Sequence, residues 1–301
     1  MKFLIPLLII FTTINGFARQ SISFTFDDGS ISDQSKYSLE EWNSMILDAL
    51  KSAEVEAAFF VTTQGKQTEK GKYLLNSWDE AGHMIANHTH THPSFNSDEV
   101  TAQDFEKELL RADKIITHYE HYSKLFRFPY LKEGKDPAKV DSIRQIMAQH
   151  GYRNGYVTID ASDWYVDSRL RERLKKNPDA DLDDFKDYYL EHLYERAVFY
   201  DNLAYDMTGR HIKHTILLHH NLAAALFLDD LIAMFISKGW NVISADEAFQ
   251  DPIFKNTPDY AGESLIWALA KDSGKYDELL RYPGEDSKYI KEEMDKLGLL
   301  P

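Results

Sequence analysis

The sequence predicts a parallel α/β fold, and three observations carry the prediction. The run Ala57-Ala58-Phe59-Phe60-Val61-Thr62 is continuously apolar up to Thr62 and of strand length, as in a parallel sheet covered on both faces. A strand, a helix and another strand then repeat at a regular rhythm. Most telling, polar clusters fall directly after predicted strands, where parallel α/β sheets gather their functional groups.

The first eighteen residues read as a secretory leader. Lys2 supplies the positive end, Phe3 to Ile14 is apolar but short for a bilayer span, and Gly16-Phe17-Ala18 puts small residues before Arg19. An exported protein is expected, periplasmic or secreted, with no stable membrane insertion once the leader is removed. The first strand follows at Ser21 to Phe26, where small polar and apolar residues alternate, and it runs into Asp27-Asp28-Gly29. Two adjacent acids repel, so burying them requires a compensating cation.

Leu39-Glu40-Glu41-Trp42 opens an amphipathic helix to about Ser52; the apolar strand 57–62, a helix from Tyr73 to Ala81 and a strand from His83 to Ala86 follow. Next comes Asn87-His88-Thr89-His90-Thr91-His92, in which His88 and His92 share a face if the segment is helical and can hold one ion. Ala102 to Tyr122 reads as a charged helix, then a short strand ends at Arg127-Phe128-Pro129-Tyr130. Asp136-Pro137 starts a helix to His150. A strand over 154–159 ends at Asp160-Ala161-Ser162-Asp163-Trp164. The segment 166–212 is charged, aromatic and helical in character, an insertion beside the site or an elaborated crossover. His214 to Leu218 is a strand running into His219-His220-Asn221, a helix covers 222–237, and 238–243 is the last strand. Beyond Pro252, helices are expected over 261–270, 276–281 and 288–297 as a C-terminal appendage.

Bulk composition narrows the function. With 301 residues, 43% hydrophobic, the chain can bury a large core. A formal charge of −15 argues against nucleic acid or an anionic membrane surface as partner. With no cysteine, thiolate metal sites and cysteine nucleophiles are excluded, so any metal is held by His, Asp or Glu.

Thr25-Phe26-Asp27-Asp28-Gly29, His88-Thr89-x-x-His92, Arg127-x-Pro129-Tyr130, Asp160-x-x-Asp163-Trp164 and Leu217-x-His219 stand in an order that resembles the five motifs of polysaccharide deacetylases, the NodB-like enzymes of carbohydrate esterase family 4. The resemblance runs from about Ser21 to Ala248. It implies a distorted (β/α) barrel of parallel strands; with the reading of the residues, this gives a domain over 19–250 with a helical insertion at about 166–212, followed by a helical C-terminal extension at 251–301. It further implies a divalent metal, zinc first and cobalt or another ion second, and an acetylated carbohydrate as substrate.

Carried over residue by residue, Asp28, His88 and His92 would bind the metal and Asp27 would be the general base. Arg127 would pair with Asp27 and keep its pKa low, while the Tyr130 backbone N–H would meet the oxyanion. His219 would be the general acid, partnered by Asp163 or, second, Asp160. Leu217 would line the acetyl-methyl pocket and Trp164 a groove wall. Two departures stand out: His220 occupies a position that is often Asp in this family, and His90-Thr91-x-x-Ser94 matches the second motif in a shifted register. The competing functions are hydrolysis of a small non-sugar amide on the same scaffold and a catalytically silent carbohydrate-binding relative.

Overall fold

The computed structural model describes residues 19–284 and 286–300; the expected leader, 1–18, lies outside the described residues. The chain order is β1 (Ser21–Asp28), α1 (Leu39–Ser52), β2 (Ala58–Val61), α2 (Glu69–Glu80), β3 (Met84–Asn87), α3 (Ala102–Ile116), β4 (Tyr122–Phe126), α4 (Pro137–Gln149) and β5 (Arg153–Asn154). It continues with α5 (Asp163–Lys176), α6 (Asp183–Thr208), β6 (Lys213–His219), α7 (Leu222–Ser237), β7 (Asn241–Val242), α8 (Ala245–Phe249), α9 (Leu265–Ser273) and α10 (Ser287–Lys296). All named strand pairs are parallel, in the order β5-β4-β3-β2-β1-β6, with β7 against the start of β1.

The sheet curls into a distorted barrel because one segment touches both of its edges. Arg153 and Asn154 pair with β4, and a few residues later Ile159 bridges Ile216 of β6. Between them Gly155 donates its N–H to Phe126 O (2.7 Å) and lies so close to the Phe60 ring that a Cβ would come within 2.3 Å of it. Only glycine lets the chain cross there. The expected strand over 154–159 is therefore two short pieces.

Side-chain alternation separates two environments. Ile22, Phe24 and Phe26 of β1, with Phe59 and Val61 of β2, join the main core shared with α1, α2, α6 and α7. Ala58, Phe60, Ala86 and Leu125 face the other way and pack with Ala245 and Phe249 of α8, which plugs the base of the barrel. Ser23, Thr25 and Asp27 are buried on that same inward side of β1.

Several helix limits differ from expectation. α2 begins at Glu69, where the Thr68 hydroxyl caps Gly71 N–H. α3 stops at Ile116, and Tyr122 belongs to β4 instead. The 166–212 segment is two helices, α5 and α6, forming the crossover into β6. Residues 276–281 form turns and coil, not a helix. Past Pro252, Leu265, Ile266, Ile290, Met294 and Leu299 enter the main core, so this part of the chain is packed on the barrel. No helix among the described residues is long and apolar enough to cross a membrane.

Candidate metal and catalytic centre

Parallel register brings the polar clusters to one rim. Asp27 stands level with Phe60 of β2 and His219 of β6, and Val61 is level with Asn87 of β3. Asp27 and Asp28 diverge because β1 ends there. Asp28 takes a left-handed φ of 78° and Gly29 follows at 88°, a conformation Asp tolerates better than most residues.

His88 and His92 are not on a helix, contrary to the geometry expected. Thr89 (φ 70°) and His92 (φ 61°) are left-handed, and the turn is tied by Thr89 N–H to Asn87 Oδ1 (2.9 Å) and His92 N–H to Thr89 Oγ1 (3.0 Å). The turn still converges both rings on Asp28. Oδ1 of Asp28 lies 3.7 Å from His88 Nε2 and 3.4 Å from His92 Nε2, and the three donor atoms fall within 4.8 Å of one another. His88 Nδ1 donates to Arg127 O (2.8 Å), which leaves Nε2 with its lone pair turned to the site.

Burial lowers the pKa of each ring to about 4, so both are neutral acceptors at pH 7. Burial by itself would raise Asp28, but opposing charge led by His219 holds it below the usual carboxylate range. Two lone pairs and a carboxylate aimed at one point, with no proton between them, make a donor set suited to a divalent cation. His90 is not part of it: its Nδ1 is 2.8 Å from Thr63 Oγ1 and it stands outside the converging donor set. The shifted register is not the one that converges.

Behind the donor set, Asp27 is 3% exposed and its Oδ1 accepts from Arg127 Nη1 at 2.6 Å. Arg127 also donates to Thr25 Oγ1 (2.9 Å) and Gly155 O (2.9 Å), and its guanidinium lies 3.8 Å over the Phe60 ring. The expectation that Arg127 keeps the Asp27 pKa low is corrected. Burial outweighs the guanidinium and raises Asp27 to about 6. It is mostly ionised at neutral pH yet far more basic than an exposed aspartate.

Across the pocket, His219 Nδ1 is 2.7 Å from Asp163 Oδ1, and Asp163 Oδ2 accepts from His219 N–H (2.8 Å) and Asn221 Nδ2 (3.0 Å). Burial opposes the imidazolium, but the Asp163 carboxylate prevails and holds His219 well above the usual histidine range. Asp160 points away, accepting from Gly284 N–H at 2.9 Å. His220 is buried under Trp42 (centroids 4.1 Å), with Nε2 3.0 Å from Asn43 Oδ1. At the position often occupied by Asp, this chain has a core histidine.

A cavity of 380 Å³ is shared by Asp27, Asp28, His88, His92, Tyr130, Leu131, Trp164, Leu217 and His219. Tyr130 stands at φ 58° with its ring 4.6 Å from that of His92. Leu217 is buried and packs with Leu131 and Val157 as a small apolar patch. Trp164 forms part of the wall, its indole N–H donated to Gly284 O (3.2 Å). Sequence reasoning missed Leu131 and Val157, whose only signal was their position just past a motif or within a strand. It also missed Lys66, which lines the adjoining groove.

Residues 15–155 match the family model described as polysaccharide deacetylase. That stretch holds Asp27, Asp28, His88, His92, Arg127 and Tyr130, and ends before Asp163 and His219. The chain is 30% identical over 113 residues to a peptidoglycan-N-acetylglucosamine deacetylase of Bacillus cereus, covering 37% of each. It is 28% identical over 152 residues to a chitooligosaccharide deacetylase of Sinorhizobium fredii, covering 50% of this chain and 62% of that protein. The matches thus span less than two thirds of these curated relatives.

Among solved structures, a mutant with restored enzymatic activity of a carbohydrate esterase family 4 pseudoenzyme, whose wild type comes from Bacillus anthracis, superposes with a TM-score of 0.54. Its identity is 18%, with 77% of this chain and 68% of that one covered, a likeness of fold. Over residues 15–155 the chain is thus similar to the polysaccharide deacetylase family, and its curled parallel sheet shares the fold of a carbohydrate esterase family 4 protein.

Proposed function

We propose that the protein is an exported, metal-dependent hydrolase that removes acetyl groups, N-acetyl in preference to O-acetyl, from a poly- or oligosaccharide. The observation that carries the reading is the grouping around one cavity of the Asp28/His88/His92 donor set, Asp27 backed by Arg127, and His219 backed by Asp163. The names of the two curated relatives support a sugar over a small amide as substrate.

A divalent ion held by Asp28, His88 and His92, zinc or in its place cobalt, would supply an acidified water and pull electron density from the acetyl carbonyl. Asp27 Oδ2 faces the His88 side of the site, 3.6 Å from Nε2, while Oδ1 is fixed by Arg127. Its carboxylate accepts the proton of the attacking water as the new C–O bond forms. The backbone N–H of Tyr130 is the proposed donor to the oxyanion, a contact of this kind being worth about 3 kcal/mol. His219, with Nδ1 tied to Asp163, gives the Nε2 proton to the departing nitrogen as the C–N bond breaks. The products are acetate and a free amine. Leu131 and Leu217, backed by Val157, offer the acetyl methyl an apolar seat.

The test is acetate release from an N-acetylglucosamine hexamer by zinc- or cobalt-loaded protein, abolished by a chelator and restored by the ion. Full activity in metal-free protein would refute the metal reading. Activity on cyclic imides without release from the hexamer would favour the small-amide alternative. Glycan binding with no acetate release, unchanged in Asp27→Asn, would favour the silent one.

A further inference from the structure

Next to the catalytic cavity lies a groove of 610 Å³ that shares Asp28, His92, Trp164 and His219 with it, so one ligand can span both. Four other charged or titratable groups line it: Lys66, Arg171, Asp167 and His90, besides the buried His220. Arg171 and Asp167 satisfy each other, Nε to Oδ2 at 2.7 Å, and Asp167 Oδ1 also accepts from Ala223 N–H (3.1 Å). His90 is engaged by Thr63. Lys66 is different. Its side chain has neither a hydrogen bond nor a carboxylate within salt-bridge distance among the described residues, yet the residue is only 3% exposed.

The fold places this ammonium deliberately. The turn before it hangs on the metal-site loop through Thr63 N–H to Thr89 O (3.1 Å) and Gln64 N–H to His90 O (2.9 Å). The Lys66 backbone presses on Gly71 in the first turn of α2, where a Cβ would come within 2.3 Å of Lys66 Cα. The side-chain stem lies along Gly29, its Cε 3.2 Å from where a Cβ would stand. A buried cation without a partner costs several kcal/mol. Opposing charge reaches it from Asp28, beyond salt-bridge distance and itself part of the donor set with His88 and His92. The feature fits a counter-charge that arrives with the ligand.

We propose that Lys66 is the anion-recognition element of this groove, and that the glycan acted on carries a carboxylate on a sugar unit beside the one that loses its acetyl group. The inference rests on the deacetylase reading for the identity of the ligand as a glycan. Burial lowers Lys66 to about 8, so the charge is retained at pH 7. The carboxylate has two chemical sources, a lactyl ether on an amino sugar or a uronate ring.

The experiment is calorimetric binding to the zinc-loaded full chain carrying Asp27→Asn, which prevents turnover. The ligands are an alternating N-acetylglucosamine/N-acetylmuramate tetramer, an acetylated oligosaccharide containing uronate, and the methyl ester of each. At least one free acid is expected to bind about tenfold tighter than its own ester, as a charge-assisted contact requires, and which one does so identifies the source. Lys66→Met should bring that ratio to about one, and Lys66→Arg should keep it above one. Equal binding of acid and ester for both glycans, or a ratio that survives Lys66→Met, overturns the proposal. Acetate release by the unsubstituted protein from the neutral hexamer reports separately: discrimination without release there or from the acidic glycans keeps the anion site and sinks the deacetylase reading.

Discussion

Replacing Asp163 with asparagine removes one charge and leaves the side chain's shape nearly unchanged, so it isolates what the carboxylate does for His219. Asp163 is fully buried and accepts three hydrogen bonds, from His219 Nδ1, His219 N–H and Asn221 Nδ2. Asparagine has one acceptor oxygen. If that oxygen faces Nδ1, the new NH2 points at two other donors, each left unsatisfied at about 1–3 kcal/mol. If it is turned the other way, the NH2 faces Nδ1 and disfavours a proton there. Either way, the force that holds His219 above the usual range is gone and burial, which opposes the imidazolium, is left to act.

A general acid contributes roughly 10²–10⁴ to the rate. The kcat/KM for acetate release in Asp163→Asn is therefore expected to fall at least about 100-fold at pH 7, with the alkaline limb of the pH profile moved to lower pH. The assay is acetate release from pH 5 to 9, alongside Asp160→Asn, whose carboxylate meets Gly284 N–H and not His219. That second variant is expected to keep the position of the alkaline limb. A profile for Asp163→Asn that overlays the parent within about threefold would refute the assignment of His219 as a charged acid.

Asp27→Asn is expected to retain the metal, measured by elemental analysis, while losing turnover by about 100-fold or more; loss of the ion would mean that the two aspartates have exchanged roles. His92→Ala should weaken zinc binding at least tenfold and His90→Ala should not, because His90 faces Thr63; the reverse order in a zinc titration would revive the shifted register. Away from the site, His83 Nδ1 accepts from Ala57 N–H (3.2 Å) and burial lowers its pKa from 6.5 to about 4. Its folded pKa is the depressed one, so its contribution is complete above pH 6.5 and is lost as pH falls towards 4, on the order of 3 kcal/mol in all. His83→Gln keeps an acceptor without titrating, so its urea midpoint should decline less steeply over that window; parallel curves would count against the assignment.

The motif letters and their order told which residues to watch, because a parallel sheet delivers strand ends to one rim whatever its helices do. Alternation along Ser21–Phe26 likewise announced β1, and the apolar run at 57–62 announced a strand covered on both faces. Helix limits were less legible: caps such as Thr68 act through a single hydroxyl contact that periodicity does not register. The convergence of His88 and His92 was foreseen, but its cause was not. A helical i, i+4 pair was expected, and a turn with two left-handed residues does the work instead, stabilised by Asn87 and Thr89.

What only the tertiary structure decided is where burial and charge balance. Composition does not say that Asp27 sits deep enough for desolvation to outweigh Arg127, that Asp163 rather than Asp160 reaches His219, or that His220 is a core residue beneath Trp42. Nor does it say that Lys66, five residues past β2, lies buried with Asp28 acting on it only from beyond salt-bridge distance. Chemical identity is written residue by residue along the chain. The free energy of a charge depends on how much water and which neighbours surround it, and the packed fold sets both.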